Sequence, residues 1–214
     1  MGTAVAIKLL PLLFIPVFYK FLRGKKFSVF CLGLGLSSAF FWLPFWEGSM
    51  ASQYKDTLDL WFTTFEFNGS LYNLVRAIGF QQKGYNIIRQ LGEVTPFIVV
   101  GLVIVFSFFR SNRTIKSLIK SILFLLSCYF FMATTIHPWY IINLLFFGIL
   151  SGYAFPLIWS LSVFWSYSAY GPHGFEENPF IQFAEYIFVY GILFWELTQG
   201  PLGEHFQKTN FFRT

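Results

Sequence analysis

The chain has 214 residues, 56% of them hydrophobic and 12% charged, with 31 phenylalanines and a formal net charge of +5. Soluble domains carry about 25% charged residues, and no water-soluble fold of this length has the interior for such an apolar load, which leaves a multi-span membrane protein. The basic residues sit in short clusters between apolar runs with no aromatic–basic interleaving, so the charge reads as membrane topology and excludes nucleic acid as a partner.

The N-terminal run places its basic cluster, Lys20 to Lys26, after the apolar stretch. A signal peptide has the opposite order. Position 6 is Ala, where a myristoylation pattern needs Ser or Thr. Cys31 and Cys128 lie inside apolar runs and fit neither a disulfide framework nor a metal-ligand spacing.

Hydropathy predicts about seven transmembrane helices, at 3–22, 27–46, 94–110, 118–136, 139–152, 155–170 and 180–197. The fifth is short, and "SGYAFP" must then be a tight connection. Lys20, Arg23, Lys25 and Lys26 after the first segment, and Arg110, Arg113, Lys116 and Lys120 after the third, belong on the cytoplasmic side. The tail with Lys208 and Arg213 then also lies inside. The 47–93 loop, His137 to Tyr140 and "GPHGFEENP" lie outside. An odd number of spans puts the N-terminus outside, which suits a single integral membrane domain, 1–214, that continues a longer protein. The expected location is a bacterial inner membrane, multi-pass, with a cytoplasmic C-terminus.

The external loop is predicted to be structured. Tyr54, Leu58, Trp61, Phe62 and Phe65 form one helical stripe, opposite Gln53, Asp56, Asp59 and Thr63. Leu71, Leu74, Val75 and Ile78 form a second, which Ser70 or Asn68 can cap and Gly79 can end. Beside a bilayer such amphipathic helices lie in the interface plane. Between them "FEFNGS" presents Glu66, Asn68 and Ser70, either as a polar capping turn or as a polar shelf for a substrate with a wet head and a lipid tail.

"ATTIHPWYIINLL" is a polar cluster between apolar runs. Pro138 suits the first turn of a helix, and Trp139 and Tyr140 suit a membrane interface. His137 adds an imidazole that would hold a phosphate beside an indole that would stack on a sugar. Lys8, about one and a half turns inside the first segment, reads as a snorkelling lysine or as a partner for an anionic lipid phosphate. His173, Glu176 and Glu177 read as a solvated loop more readily than as metal ligands, and Glu185 as a buried acid or an interface residue. The sequons at Asn68 and Asn112 read as accidental. No P-loop, GxSxG, HExxH or dinucleotide fingerprint occurs.

"AIKLLPLLFIP", "FEFNGSLYNLVRAIGF" followed by "GYNII", "HPWYIINLL", and "LIWSLSVFWSYSAY" followed by "AEYI" occur in that order. Together they resemble the C-terminal half of the GT-C superfamily of integral membrane glycosyltransferases, in particular the bacterial mannosyltransferase-like group related to the GPI mannosyltransferase catalytic subunit. The resemblance implies transfer of a sugar from a polyprenyl-phosphate donor to a glycan or lipid acceptor on the outer face. It implies that Lys8, Glu66, Asn68, Ser70, His137, Trp139 and Tyr140 border the substrates. It places the main catalytic acid in an N-terminal part that this chain does not match, on a longer chain or a separate one; Glu66 is the base candidate at hand. No cofactor is named by the residues, no metal site is assigned, and a divalent cation is the one cofactor this chemistry would admit. The competing readings are a non-catalytic membrane subunit and a lipid or small-molecule transporter. The latter lacks the repeats and midplane charges such proteins use.

Overall fold

Proline sets the character of the N-terminal segment. The computed structural model describes residues 1–172 and 174–204, so His173, Lys208 and Arg213 lie outside the described residues. Helix α1 covers only Gly2–Ile7, and Lys8 then turns extended (φ −150°, ψ 130°). Two 3-10 turns, Leu10–Phe14 and Pro16–Phe18, lead into the short α2, Tyr19–Leu22. Pro11 and Pro16 lack an N–H and restrict the residue before them, so a continuous helix over 3–22 gives way to short pieces. Lys8 accordingly stands at a helix end, and not within a straight span.

The remaining elements follow the apolar pattern. They are α3 Gly24–Trp42, α4 Met50–Thr63, α5 Leu71–Lys83, α6 Ile88–Ile104, α7 Ile115–Met132, α8 Pro138–Ser151, α9 Phe155–Ser162 and α10 Pro179–Gln199. A two-residue hairpin, β1 Tyr170–Gly171 against β2 Gly174–Phe175, precedes α10. The chain is an all-α membrane protein with four helices long and apolar enough to cross a bilayer: Gly24–Phe45, Ile88–Phe109, Ile115–Met132 and Pro179–Gln199. The seven expected spans thus resolve into four long helices and three shorter apolar pieces. At 14 residues α8 is about 21 Å long, against a hydrocarbon core of roughly 30 Å. The 155–170 segment is α-helical for 8 residues before tightening to 3-10 geometry.

The chain divides into two compact units, one from Met1–Thr64 and Ile88–Leu125, the other from Phe65–Ile87 and the residues from Leu126 onward. The expected single domain, and the 47–93 loop within it, are therefore shared between them. In the first unit α1 lies against α3 so closely that a Cβ on Gly2 would meet Ser37 Cβ at 2.4 Å, and Trp42 Nε1 donates to Ala6 O at 3.2 Å. A π-helical turn, Val105–Phe109, ends α6 and frees carbonyls that polar side chains take up. Asn112 Nδ2 donates to Phe106 O (2.6 Å), and Lys20 Nζ donates to Phe108 O (2.5 Å) and Arg110 O (3.1 Å). That last pair of bonds ties together the two basic clusters, some 90 residues apart in sequence.

In the second unit α5 forms where the apolar stripe predicts it, but it runs through Gly79 and ends at Gly84, whose φ of 75° glycine adopts freely. Gly79 has a different cause: a Cβ there would meet Ile87 Cδ1 at 2.4 Å. Neither Ser70 nor Asn68 caps α5 with its side chain, because both side chains are engaged elsewhere. The core around them holds Phe131, Ile136, Ile141, Leu144, Phe155, Trp159 and Val189, with Phe131 stacked on Trp159 at 4.8 Å.

Candidate functional site

Two motif segments far apart in sequence run side by side in the second unit. Phe67 and Thr135 form a parallel bridge, with Phe67 N donating to Thr134 O (3.0 Å) and Ile136 N to Phe67 O (2.7 Å). Thr135 Oγ1 adds a bond to Phe65 O at 2.9 Å. "FEFNGS" and "TTIHPWY" are thereby one ledge. Of the residues expected at a site, Glu66, Asn68, Ser70, His137, Trp139 and Tyr140 belong to this unit, and Lys8 belongs to the first.

Glu66 is half-buried and fully engaged. It pairs with Arg76, and it accepts hydrogen bonds from Asn86 and from the Tyr72 hydroxyl, the last at 2.7 Å. The Arg76 guanidinium also stands 5.9 Å from the Tyr72 ring centroid. Burial, then the hydrogen bond and charge of Glu66, push the Tyr72 phenol well above its ordinary 10.0. A raised phenol favours the neutral form in the fold, so its contribution is present below about pH 10 and is lost as pH rises above that. Tyr72→Phe is expected to cost about 1 kcal/mol at neutral pH. It should also flatten the alkaline decline in detergent-unfolding midpoints measured from about pH 8 to pH 11.

Asn68 is the best-connected residue of the ledge. Its side chain is wholly buried, and its φ of 51° is left-handed, a region asparagine tolerates better than most residues. Its N–H donates to Glu177 Oε1 (2.5 Å), its Nδ2 to both Glu185 oxygens (3.1 and 3.0 Å), and its carbonyl accepts from the Tyr186 hydroxyl (2.5 Å). Its Oδ1 has no partner among the described residues. Ser70 Oγ lies 2.5 Å from the Tyr190 hydroxyl. Trp159 Nε1 donates to Glu185 Oε1 at 3.1 Å. The ledge is thus bolted to α10 through Glu185, Tyr186 and Tyr190.

His137 precedes α8 in extended conformation, with Pro138 at the first helical position as its fixed φ allows. Its ring is sandwiched: the Trp139 centroid is 4.2 Å away and nearly parallel (11°), and Phe67 lies at 4.7 Å on another side (26°). Tyr140 meets it edge-on at 5.6 Å. The imidazole is half-buried while Trp139 stays 54% exposed, so an indole face is open to a ligand next to a fixed imidazole.

Glu185 is a buried acid, one of the two readings its position in an apolar helix allowed. Sequence reasoning missed Glu196, also buried. Its Oε1 accepts from Ala154 N (2.7 Å) and Leu202 N (2.9 Å), and its Oε2 from Phe155 N (2.9 Å). The available signal was the same for both: a lone carboxylate inside an apolar helix is expensive unless it is paired. Among the described residues, no group of three or more His, Cys, Asp or Glu is placed to hold a metal ion. No protein-family model, curated protein or solved structure matches the chain.

Proposed function

We propose that this chain forms part of a membrane glycosyltransferase that moves a sugar from a polyprenyl-phosphate donor to a hydroxyl of a glycan or lipid acceptor. The supporting observation is the ledge: two of the motifs that carry the GT-C resemblance are hydrogen-bonded side by side, with His137 clamped between Phe67 and Trp139. In this reading the imidazole holds the phosphate and the open indole face of Trp139 stacks on the sugar. The acceptor oxygen bonds to the anomeric carbon as the carbon–phosphate-oxygen bond breaks. The electron pair leaves with the polyprenyl phosphate, and the acceptor proton passes to a carboxylate. Glu66 would have to shed Arg76 to take that proton. The base is therefore assigned to a carboxylate of an N-terminal half, on a longer chain or a separate one. The membrane passages of the shorter apolar pieces, the outward placement of the ledge, the interfacial lie of α4 and α5, the bacterial inner membrane and the role of Lys8 belong to the same proposal.

A second reading, a non-catalytic membrane subunit, is favoured by how completely Glu66 is engaged within the fold and by the bonds that spend Asn68 Nδ2 on Glu185. Membranes of the source cell, which hold whatever N-terminal half the chain works with, separate the two when they carry the native chain or His137→Phe at equal abundance and receive radiolabelled polyprenyl-phosphate mannose or glucose. Label in extractable glycolipid or glycan that depends on the chain and falls with His137→Phe supports the transferase. Label that is independent of the chain, or of His137, sinks it.

A further inference from the structure

The segment before α10 and that helix's first turns border open hollows that the ledge does not use. A cleft of about 600 Å³ is lined by Ser168, Glu176, Glu177, Asn178, Phe180 and Ile181, among others. A second hollow, about 420 Å³ and almost wholly apolar, shares Ser168, Phe180 and Ile181 with it and continues to Trp165 and Ala184. The two therefore lie side by side, one lobe of mixed polar and apolar lining and one apolar. The apolar lobe lies on α10, one of the four helices apolar enough to span a bilayer.

We propose that this two-lobed cleft binds an amphiphile with a hydroxylated, uncharged head and an aliphatic tail. Taken with the transferase reading, on which only this role depends, that ligand is the acceptor and not the phosphate donor. Charge decides between them. Among the described residues no Lys or Arg lines either lobe, whereas two carboxylates line the first. A phosphate would sit against like charge. Sugar hydroxyls, in contrast, donate to carboxylates in charge-assisted bonds. Glu177 is held in place by the Asn68 N–H on Oε1, and among the described residues its second oxygen takes no hydrogen bond. Phe180, 85% exposed, offers a face for the apolar side of a sugar ring. Trp165, Ile181 and Ala184 supply the surface that an alkyl tail covers.

Photolabelling of the full chain in phosphatidylcholine nanodiscs tests this with three probes that share one diazirine-bearing dodecyl tail and differ in head: a glucoside, a phosphate and an ammonium. The glucoside is expected to label residues 165–184 several-fold more than the phosphate. Ala184→Trp, which fills the apolar lobe, should remove most of that label. Glu176→Gln with Glu177→Gln, on exposed and half-exposed positions, should raise phosphate labelling towards the glucoside's. The proposal is overturned if the phosphate labels at least as well in the native chain, or if the ammonium labels best. It is equally overturned if all probes spread evenly over exposed apolar helices such as α3, the pattern of annular lipid. Sugar transfer that persists without glucoside labelling removes this inference alone. Labelling without any transfer removes the transferase reading and leaves the cleft.

Discussion

Asn68→Ala is expected to lower the stability of the chain by about 2–4 kcal/mol, from hydrogen bonds lost to a buried carboxyl group and from a strained backbone. The substitution takes two hydrogen-bond donations from Glu185 and leaves that wholly buried carboxyl group, among the described residues, with Trp159 as its remaining donor. It also puts alanine at a φ of 51°, where a Cβ residue pays roughly 1–2 kcal/mol. Asn68→Gly separates the two costs, since glycine accepts the backbone and loses only the side chain. Asn68→Asp is expected to be the worst of the three, because it sets a second carboxylate against Glu185. Midpoints of sodium dodecyl sulfate unfolding in mixed micelles give the order: native, Gly, Ala, Asp. Equal midpoints for native and Ala would mean that Glu185 finds other donors and that the ledge is not bolted to α10.

Glu196→Ala is expected to cost about 2–4 kcal/mol, because three backbone N–H groups lose their acceptor together. Two of them belong to Ala154 and Phe155, at the start of α9, where unpaired N–H groups and the helix dipole both favour a carboxylate. Ordinarily a residue next to the helix caps it. Here a side chain 41 residues away does so, and it fixes the turn between α8 and α9. Gly152 closes that turn with a φ of 78°, and its carbonyl accepts from Gly203 N at 2.9 Å. Glu196→Gln keeps an amide oxygen and should recover about half of the loss. Hydrogen exchange at Ala154 and Phe155 reports the effect locally. Unchanged protection in Glu196→Ala would contradict the capping role.

Legibility in the sequence followed the range of the interaction. Long apolar runs gave α3, α7 and α10 within a few residues and α6 with a start six residues late, and helices form over Tyr54 to Phe62 and Leu71 to Ile78, with Phe65 beyond the end of α4. The N-terminal piece went astray because hydropathy averages over Pro11 and Pro16, which break it locally. Gly79 resembled a helix stop, yet its cause is Ile87, a contact that no local pattern encodes. The site shows the same division. The polar residues of "FEFNGS" and the His137 cluster stood out as residues, but the Phe67–Thr135 bridge and the Asn68–Glu185 bonds join positions about 70 and 117 residues apart. Periodicity carries no information over such separations. The partners of the half-buried Glu66, namely Tyr72, Arg76 and Asn86, lie only 6 to 20 residues away, yet no periodicity pairs them either.

His137 is where an interface anchor and a phosphate holder part company. Phenylalanine there keeps the ring stack between Phe67 and Trp139 and removes the imidazole nitrogens, so transfer by His137→Phe is read against its abundance and its own unfolding midpoint. Sugar transfer from polyprenyl-phosphate donor, measured in membranes carrying His137→Phe at native abundance, should fall about a hundredfold, the scale for losing one donor to a developing charge. Transfer equal to that of the native chain would contradict the functional reading and return the His-Pro-Trp-Tyr cluster to an anchor at the membrane surface.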